Sequence, residues 1–193
     1  MEERKFPLQS VTKVIGLECV DSTQNVAREL AEAGEQHGAL VLACHQAKAQ
    51  GRDKCPFSAG EGGVYFTLIL RPNKPASCAV TLGIKAAESV AQTISSVFEI
   101  KTKVKQPGDV LAWDAKNRAW KKICGVWAEA SAGGDYMLLG VGVHLNDRLP
   151  ASQKDACVSL KQLIGAETSK ELFLDELLEN FWKHYAHWTT SMQ

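Results

Sequence analysis

One short segment combines a lysine, a glycine and an apolar run at a spacing that suits anion binding. It reads KKICGVWAE and runs from Lys121 to Glu129. Its apolar residues predict a buried strand, and Lys122 stands at the start of that strand, three residues before Gly125. A cation at the mouth of a buried strand can hold an anion, and a glycine lets a flat ligand approach the backbone. Lys121 is the rival candidate for the charged role.

A second polar group precedes a predicted helix. Asp21, Ser22 and Thr23 offer side chains that cap a helix N-terminus, and the residues that follow have helical spacing. In isolation such a triplet is an ordinary N-cap. The two hydroxyls can also supply both a donor and an acceptor, which a buried polar ring of a ligand would require.

The segment from His45 to Gly63 is polar, and it contains four glycines and one proline without periodicity. It is too long for a simple turn, and loops of this length are usually functional or disordered. Arg52 could bind a phosphate through its guanidinium fork. A glycine-bearing loop, here with Gly51, can close over a ligand and exclude water. A solvated loop with one basic residue is the plain alternative.

Two more motifs flank the lysine segment. KQPGDV, residues 105–110, carries the carboxylate of Asp109, an oxygen ligand of the kind that Mg²⁺ takes. By itself, the sequence PGD indicates a turn. GVGVHLN, residues 140–146, has small glycines across which a ligand could lie. Its His144 could stack on an adenine, hydrogen-bond to it, or be a neutral core histidine.

The elements that must position these residues are strands and helices in mixed order. Strands come in pairs among the helices, which favours an α+β fold with a mixed sheet covered by helices over a strict βαβ series. The patterns predict strands at residues 11–20, 39–44, 64–70, 99–105, 110–113, 122–130 and 136–145, and helices at residues 25–34, 76–97, 160–164 and 170–188.

The composition is that of one globular domain spanning residues 1 to 193. Lys plus Arg and Asp plus Glu number 22 each, and the zero net charge argues against nucleic acid or a membrane surface as a partner. No apolar run approaches the ~20 residues of a membrane helix, and the N-terminus lacks the apolar core of a signal peptide. The six cysteines are scattered, without zinc-ligand spacing, so we expect reduced thiols in a cytoplasmic protein.

Taken together, in this order and over about residues 12 to 188, the motifs resemble the catalytic domain of biotin protein ligases. KKICGVWAE is similar to the family's K-x-x-G-I-L-x-E, which assigns the essential lysine to Lys122. DSTQ resembles D/E-S-T-N, with Gln24 in place of the asparagine. The loop from Gln46 resembles Q-x-x-G-R-G-R-x-G-R-x-W, with Arg52 on the second arginine and Phe57 on the tryptophan.

The chain departs from the family pattern at several of these positions. In the loop, Ala49, Gln50 and Cys55 replace a glycine and two arginines. KQPGDV resembles K-W-P-N-D-V but has Gly108 in place of the asparagine that the family places near the nucleotide. GVGVHLN resembles G-I-G-I-N-V-N, with His144 at the first asparagine.

The resemblance implies a role for each candidate residue. Lys122 and Arg52 would stabilise charge during catalysis, and Asp109 would also bind Mg²⁺. Biotin would be bound by Ser22, Thr23, Gln46, Gly51, Lys122 and Gly125, and the nucleotide by Arg52, Phe57, Lys105, Asp109 and His144.

The resemblance also implies the fold and the reaction. The fold would be biotin/lipoate protein ligase-like, related to class II aminoacyl-tRNA synthetases, with no N-terminal DNA-binding domain and no C-terminal small β-barrel. The enzyme would activate biotin with MgATP to biotinyl-AMP and then transfer biotin to a lysine of a biotin carboxyl-carrier protein. Family members often dimerise through a sheet edge.

Two other functions compete with this one. A ligase or transferase of the same fold could handle lipoate or octanoate, although the R-R-x-x-G-G-G stretch of lipoate ligases is absent. A catalytically impaired biotin-binding homologue is the other alternative, because Gly108, His144 and the altered loop all fall on the nucleotide side.

Overall fold

The computed structural model describes residues 11–51 and 55–191. Within these two ranges the chain forms seven strands and four α-helices, and two short 3₁₀ turns lie at Ala76–Cys78 and Ala151–Gln153. The elements are, in chain order, β1 (Lys13–Val20), α1 (Thr23–Glu32), β2 (Ala39–Gln46), β3 (Val64–Leu70), α2 (Ala79–Phe98), β4 (Thr102–Lys105), β5 (Asp109–Asp114), β6 (Ala119–Ala130), β7 (Met137–Val143), α3 (Leu160–Ile164) and α4 (Lys170–Thr190).

All seven strands form one sheet in the order β1-β2-β3-β7-β6-β5-β4. β1 and β2 are parallel and are joined by α1, whereas the other neighbouring pairs are antiparallel. The sheet is therefore mixed and flanked by helices, which confirms the predicted fold class.

The two faces of the sheet bury different side chains. On one face, α2 packs against the sheet and α4 packs against α2, around a core that includes Phe66, Leu139 and Val141. On the other face, Ala27 and Ala31 of α1 pack in a smaller apolar cluster. This cluster includes Ile69, near the end of β3, and Leu138, near the start of β7. Beside this cluster, part of the second face carries glycines and a threonine instead of large apolar residues, namely Thr67, Gly125, Gly140 and Gly142. This composition leaves room for a cavity beside α1.

Several predicted boundaries shift in the structure. β6 begins at Ala119 instead of Lys122, because residues 115–118 form the hairpin turn, with Asn117 donating to Asp114. β4 begins at Thr102, since Glu99 ends α2 in the left-handed conformation with φ of 56°. Lys122 therefore lies inside a strand, and the prediction that it opens the strand is wrong.

None of the helices in the described ranges combines the length and the apolar character needed to cross a bilayer.

Candidate active site

A cavity of about 350 Å³ opens on the second face of the sheet, between the start of α1 and the loop after β2. Its floor is formed by Gly125 on β6 and by Gly140 and Gly142 on β7. It brings together nine of the residues predicted from sequence, which are Ser22, Thr23, Gln46, Gly51, Phe57, Lys105, Asp109, Lys122 and Gly125.

A β-bulge directs Lys122 into this cavity. Val110 pairs with Cys124, but the next residue of β5, Leu111, pairs with Lys122, so Ile123 is an extra residue in β6. In a regular strand, residues three apart point to opposite faces. The extra residue offsets this alternation and places Lys122 on the same face as Gly125. The backbone of Lys122 bonds instead to residues 156 and 158, at 2.8 and 2.9 Å.

The two neighbouring lysines have separate partners on opposite faces of the strand. Lys122 Nζ lies 2.7 Å from Asp109 Oδ1, and both side chains are about one-third exposed. Lys121 is nearly buried, donates to Lys154 O at 2.9 Å and pairs with Asp114 at 3.3 Å. Only Lys122 of these two lysines lines the cavity, so only Lys122 is placed to meet a ligand there.

Hydroxyl and amide groups line the cavity where α1 begins. Ser22 caps the helix by accepting from the backbone N–H of Gln24 at 3.2 Å, which leaves its own hydroxyl proton for another acceptor. Gln46 Oε1 accepts from the backbone N–H of Thr23 at 2.7 Å, which turns Gln46 Nε2 into a donor for a ligand. The N-cap and binding interpretations of this segment are therefore compatible.

Sequence reasoning assigned no role to a group of polar residues behind Thr23. Gln24 is buried, and its amide lies between Thr67 on β3 and Glu129 on β6, at 3.1 Å from each. A Cβ at position 140 would lie 2.5 Å from Gln24 Oε1, so Gly140 makes room for this side chain. The available sequence signal was the final glutamate of KKICGVWAE, which is Glu129.

Phe57 occupies the space above the next glycine on the same face. A Cβ at position 142 would lie 2.6 Å from the Phe57 ring. The ring stacks on His144 with centroids 4.9 Å apart and planes 10° apart, and Lys122 Nζ lies 5.7 Å from its centroid. The glycines of GVGVHLN thus accommodate side chains of the chain itself, as well as bordering the cavity.

His144 is buried beneath Phe57 and is not among the residues that line the cavity. Its Nδ1 lies 2.6 Å from Asp147 Oδ2, and both side chains are 1% exposed. Burial lowers the pKa of His144, but hydrogen bonds to Asp147 and Cys157 outweigh this effect and raise the pKa above 6.5. His144 is therefore a core histidine that favours the charged form more than a free histidine does. Its predicted contact with the nucleotide stays a prediction.

A close backbone contact, which could not be predicted from the sequence, explains why position 108 is a glycine. Its carbonyl accepts from Val126 N at 2.7 Å, and a Cβ at position 108 would lie 2.1 Å from Val126 O. This close approach of two backbones excludes any larger residue in the present conformation. The glycine is thus required by packing, whatever contact with a nucleotide is lost.

One predicted catalytic residue, Arg52, lies outside the described residues. Gly51 and Cys55, which stand on either side of the segment 52–54, both line the cavity.

No group of three or more His, Cys, Asp or Glu side chains in the described ranges could hold a metal ion. Mg²⁺ at Asp109 would therefore take most of its ligands from phosphate oxygens and water, which is how Mg²⁺ is commonly bound beside nucleotides.

Comparison with known proteins shows which proteins the chain is similar to. No family model matches the chain. The chain is 32% identical over 200 residues to the bifunctional ligase/repressor BirA of Bacillus subtilis, and 32% identical over 178 residues to that of Bacillus spizizenii. These alignments cover 97% and 89% of this chain but 59% and 53% of the relatives, so the chain spans somewhat more than half of their length.

Solved structures agree with these relatives. The biotin protein ligase from Aquifex aeolicus in complex with biotin and ATP superposes with a TM-score of 0.79 at 27% identity, over 92% of this chain and 72% of that one. The chain is a homologue of the biotin protein ligases. The ligase from Leishmania major in complex with biotinyl-5-AMP has the same fold, with a TM-score of 0.69 at 20% identity.

In this biotin protein ligase homologue, we expect Gly108→Asn, which introduces the family's residue, to destabilise the fold by about 1–3 kcal/mol. The reason is the clash with Val126 O. Urea unfolding of both proteins measures the difference. Gly60→Ala is the matched control, since a Cβ at position 60 meets nothing within 4 Å. An undiminished stability together with tighter binding of ATP would show instead that Gly108 marks a lost nucleotide contact.

We further expect His144→Gln to destabilise the protein in a pH-dependent way. Because the folded-state pKa of His144 is raised, its stabilising contribution is fully present below pH 6.5 and is lost as the pH rises through the folded-state pKa. The variant should therefore lose about 3–5 kcal/mol near pH 6 and less above pH 8.

Urea unfolding at both pH values tests this, with His187→Gln, at an exposed position, as the control. A loss that stays constant or grows with pH would contradict the assignment of a charged His144–Asp147 pair.

Proposed function

We propose that the protein is an ATP-dependent biotin protein ligase, which forms biotinyl-AMP and transfers biotin to a lysine of a biotin carboxyl-carrier protein. The observation that carries the proposal is a single cavity with two chemically different regions. The hydroxyl of Thr23 and the amide of Gln46 lie beside Thr67, which pairs with Gly140. The Lys122–Asp109 pair lies beside Gly125, which pairs with Gly142. Gly140 and Gly142 are roughly 7 Å apart along β7.

The polar groups near Thr23 suit the urea ring of biotin. A cyclic urea has one carbonyl oxygen and two N–H groups, so it needs donors and acceptors together. Ser22 Oγ and Gln46 Nε2 are free to donate to the carbonyl, and Thr23 Oγ1 can accept from an N–H. Burying such a ring without these partners would cost about 1–3 kcal/mol for each unsatisfied group.

Lys122 supports the first chemical step. A carboxylate oxygen of biotin attacks the α-phosphorus of ATP, the bond to the bridging oxygen breaks, and pyrophosphate leaves. Two anions must approach each other for this reaction. The ammonium of Lys122 lowers their repulsion and stabilises the charge that develops on the phosphate. Arg52 is assigned the same kind of role from its place in the sequence motif alone.

Asp109 positions Lys122 and is the proposed Mg²⁺ ligand. Its Oδ1 already accepts from Lys122, so the other carboxylate oxygen is the one free for a metal ion. Mg²⁺ would neutralise charge on the phosphates of ATP. Phe57, Lys105 and His144 stay assigned to the nucleotide side by their motifs, with Phe57 and Lys105 in the cavity wall.

The second step transfers biotin to protein. The neutral amine of the acceptor lysine attacks the carbonyl carbon of biotinyl-AMP, AMP leaves with the electrons of the broken bond, and the nitrogen loses a proton. Because AMP carries the leaving oxygen, no further cofactor is needed for this step. The acceptor is proposed to be the biotin carboxyl-carrier domain of a biotin-dependent carboxylase.

Biotin-dependent exchange of labelled pyrophosphate into ATP tests the proposal. We expect exchange with biotin and none with lipoate or octanoate. Lys122→Ala should lower the exchange rate by at least about 100-fold, as expected for loss of a charge-stabilising group. Its stability should change by less than about 1 kcal/mol, because the Lys122–Asp109 pair is partly exposed.

Lys121→Met is the matched control for this experiment. It removes the neighbouring lysine, whose partners lie outside the cavity, so stability should fall while the folded enzyme retains its exchange activity. Normal exchange in Lys122→Ala would refute the assignment of the lysine. Exchange with lipoate or octanoate in place of biotin would move the protein to another acyl group.

A further inference from the structure

A continuous chain of hydrogen bonds connects Thr23, at the cavity wall, to an ion pair on β6. Thr23 Oγ1 lies 2.9 Å from Thr67 Oγ1, and Thr67 Oγ1 lies 3.1 Å from Gln24 Oε1. Gln24 Nε2 lies 3.1 Å from Glu129 Oε1, and Glu129 forms an ion pair with Arg28. Thr67 and Gln24 are buried, so protein groups and not bulk water determine where their protons lie.

The carboxylate at the end of this chain fixes the direction of every proton. Ionised Glu129 can only accept, so the amide of Gln24 must turn its NH₂ toward Glu129 and its oxygen toward Thr67. The oxygen of Gln24 can only accept, so the hydroxyl of Thr67 must donate to it. The oxygen of Thr67 is then left to accept from Thr23.

Thr23 has one proton and two neighbouring acceptors. Gln46 Oε1 lies 3.1 Å from Thr23 Oγ1, but it already accepts from the backbone N–H of Thr23 at 2.7 Å. If Thr23 donated to Gln46, the oxygens of Thr23 and Thr67 would face each other at 2.9 Å with no proton between them. Donation to Thr67 leaves only the longer 3.1 Å contact with Gln46, whose oxygen keeps its bond from the backbone N–H of Thr23. Thr23 therefore donates to Thr67, and its hydroxyl oxygen offers the cavity a lone pair.

We propose that Glu129 is a positioning residue that fixes Thr23 as a hydrogen-bond acceptor, and thereby selects a cyclic urea, which offers an N–H there, over a cyclic carbamate. Glu129 acts through Gln24 and Thr67 and does not itself touch the ligand. The inference rests on the proposed function, since it specifies how the same cavity recognises biotin. Arg28, one helical turn after Gln24, keeps the carboxylate paired.

Replacing Glu129 by methionine removes the constraint. Glu129 Oε1 accepts from both Gln24 and Arg28, so without that carboxylate the amide of Gln24 can turn over and present its oxygen to Arg28. An NH₂ directed at Thr67 would make Thr67 an acceptor there and a donor to Thr23. Thr23 would then turn its own proton toward Gln46 or toward the cavity, where it suits a ring oxygen better than an N–H.

Calorimetric binding of biotin and of its two cyclic carbamate analogues, in each of which oxygen replaces one ring N–H, tests this inference. The unmodified protein should bind biotin at least about tenfold more tightly than the analogue whose ring oxygen meets Thr23. In Glu129→Met this ratio should fall to about threefold or less. Thr67→Val, which interrupts the chain without touching the ion pair, should lower the same ratio.

The matched control moves the carboxylate from position 129 to position 24 of the hydrogen-bond chain. In Glu129→Met combined with Gln24→Glu, the carboxylate at position 24 again accepts from Thr67 and can also pair with Arg28. The preference for biotin over the carbamate should therefore return in the double variant. A general weakening of the fold cannot produce this recovery.

The possible outcomes separate the two proposals. If the unmodified protein binds biotin but Glu129→Met lowers the affinity for biotin and the carbamate by the same factor, Glu129 is only structural and the inference is overturned. The same holds if the double variant does not restore the preference. If the unmodified protein binds no biotin, the proposed function fails, and the inference fails with it.

Discussion

The site depends on one extra residue in an antiparallel pair. Ile123 interrupts the regular pairing of β5 with β6, and this bulge places the side chains of Lys122 and Gly125 on one face of the sheet. Without it, Lys122 would point into the α2 side of the core, where an unpaired ammonium would be costly to bury. The same bulge leaves the backbone of Lys122 to bond with residues 156 and 158, which ties the lysine to a second segment.

The glycines beside the bulge decide what else can enter this face. Positions 140 and 142 are glycine because Gln24 and Phe57 lie directly over them, where a Cβ would come within 2.5 and 2.6 Å. One glycine thus admits the polar chain that ends at Glu129, and the other admits the ring that covers His144. The shape of the cavity therefore depends largely on the places where side chains of the protein pack directly on the backbone of a glycine.

The sequence predicted the mixed sheet, most element positions and nine residues that line the cavity, because these follow from local patterns and from motif spacing. It could not predict the bulge, since K-x-x-G in a regular strand would put the two residues on opposite faces. The roles of Gln24, Thr67 and Glu129 also went unnoticed, because a proton direction depends on contacts between residues up to 105 positions apart. The packing reason for Gly108 could not be predicted either, since its neighbour Val126 is distant in sequence.

The two adjacent lysines form ion pairs of different kinds, one that stabilises the fold and one whose partners can change. The pair of Lys121 with Asp114 is about one-tenth exposed, so breaking it would leave a buried charge unpaired. The pair of Lys122 with Asp109 is about one-third exposed, and pairs of that kind contribute at most about 1 kcal/mol. An incoming anion can therefore take Lys122 away from Asp109 at little cost. The free carboxylate is then available for a cation that accompanies the anion, so both members of the pair can change partners without disturbing the fold.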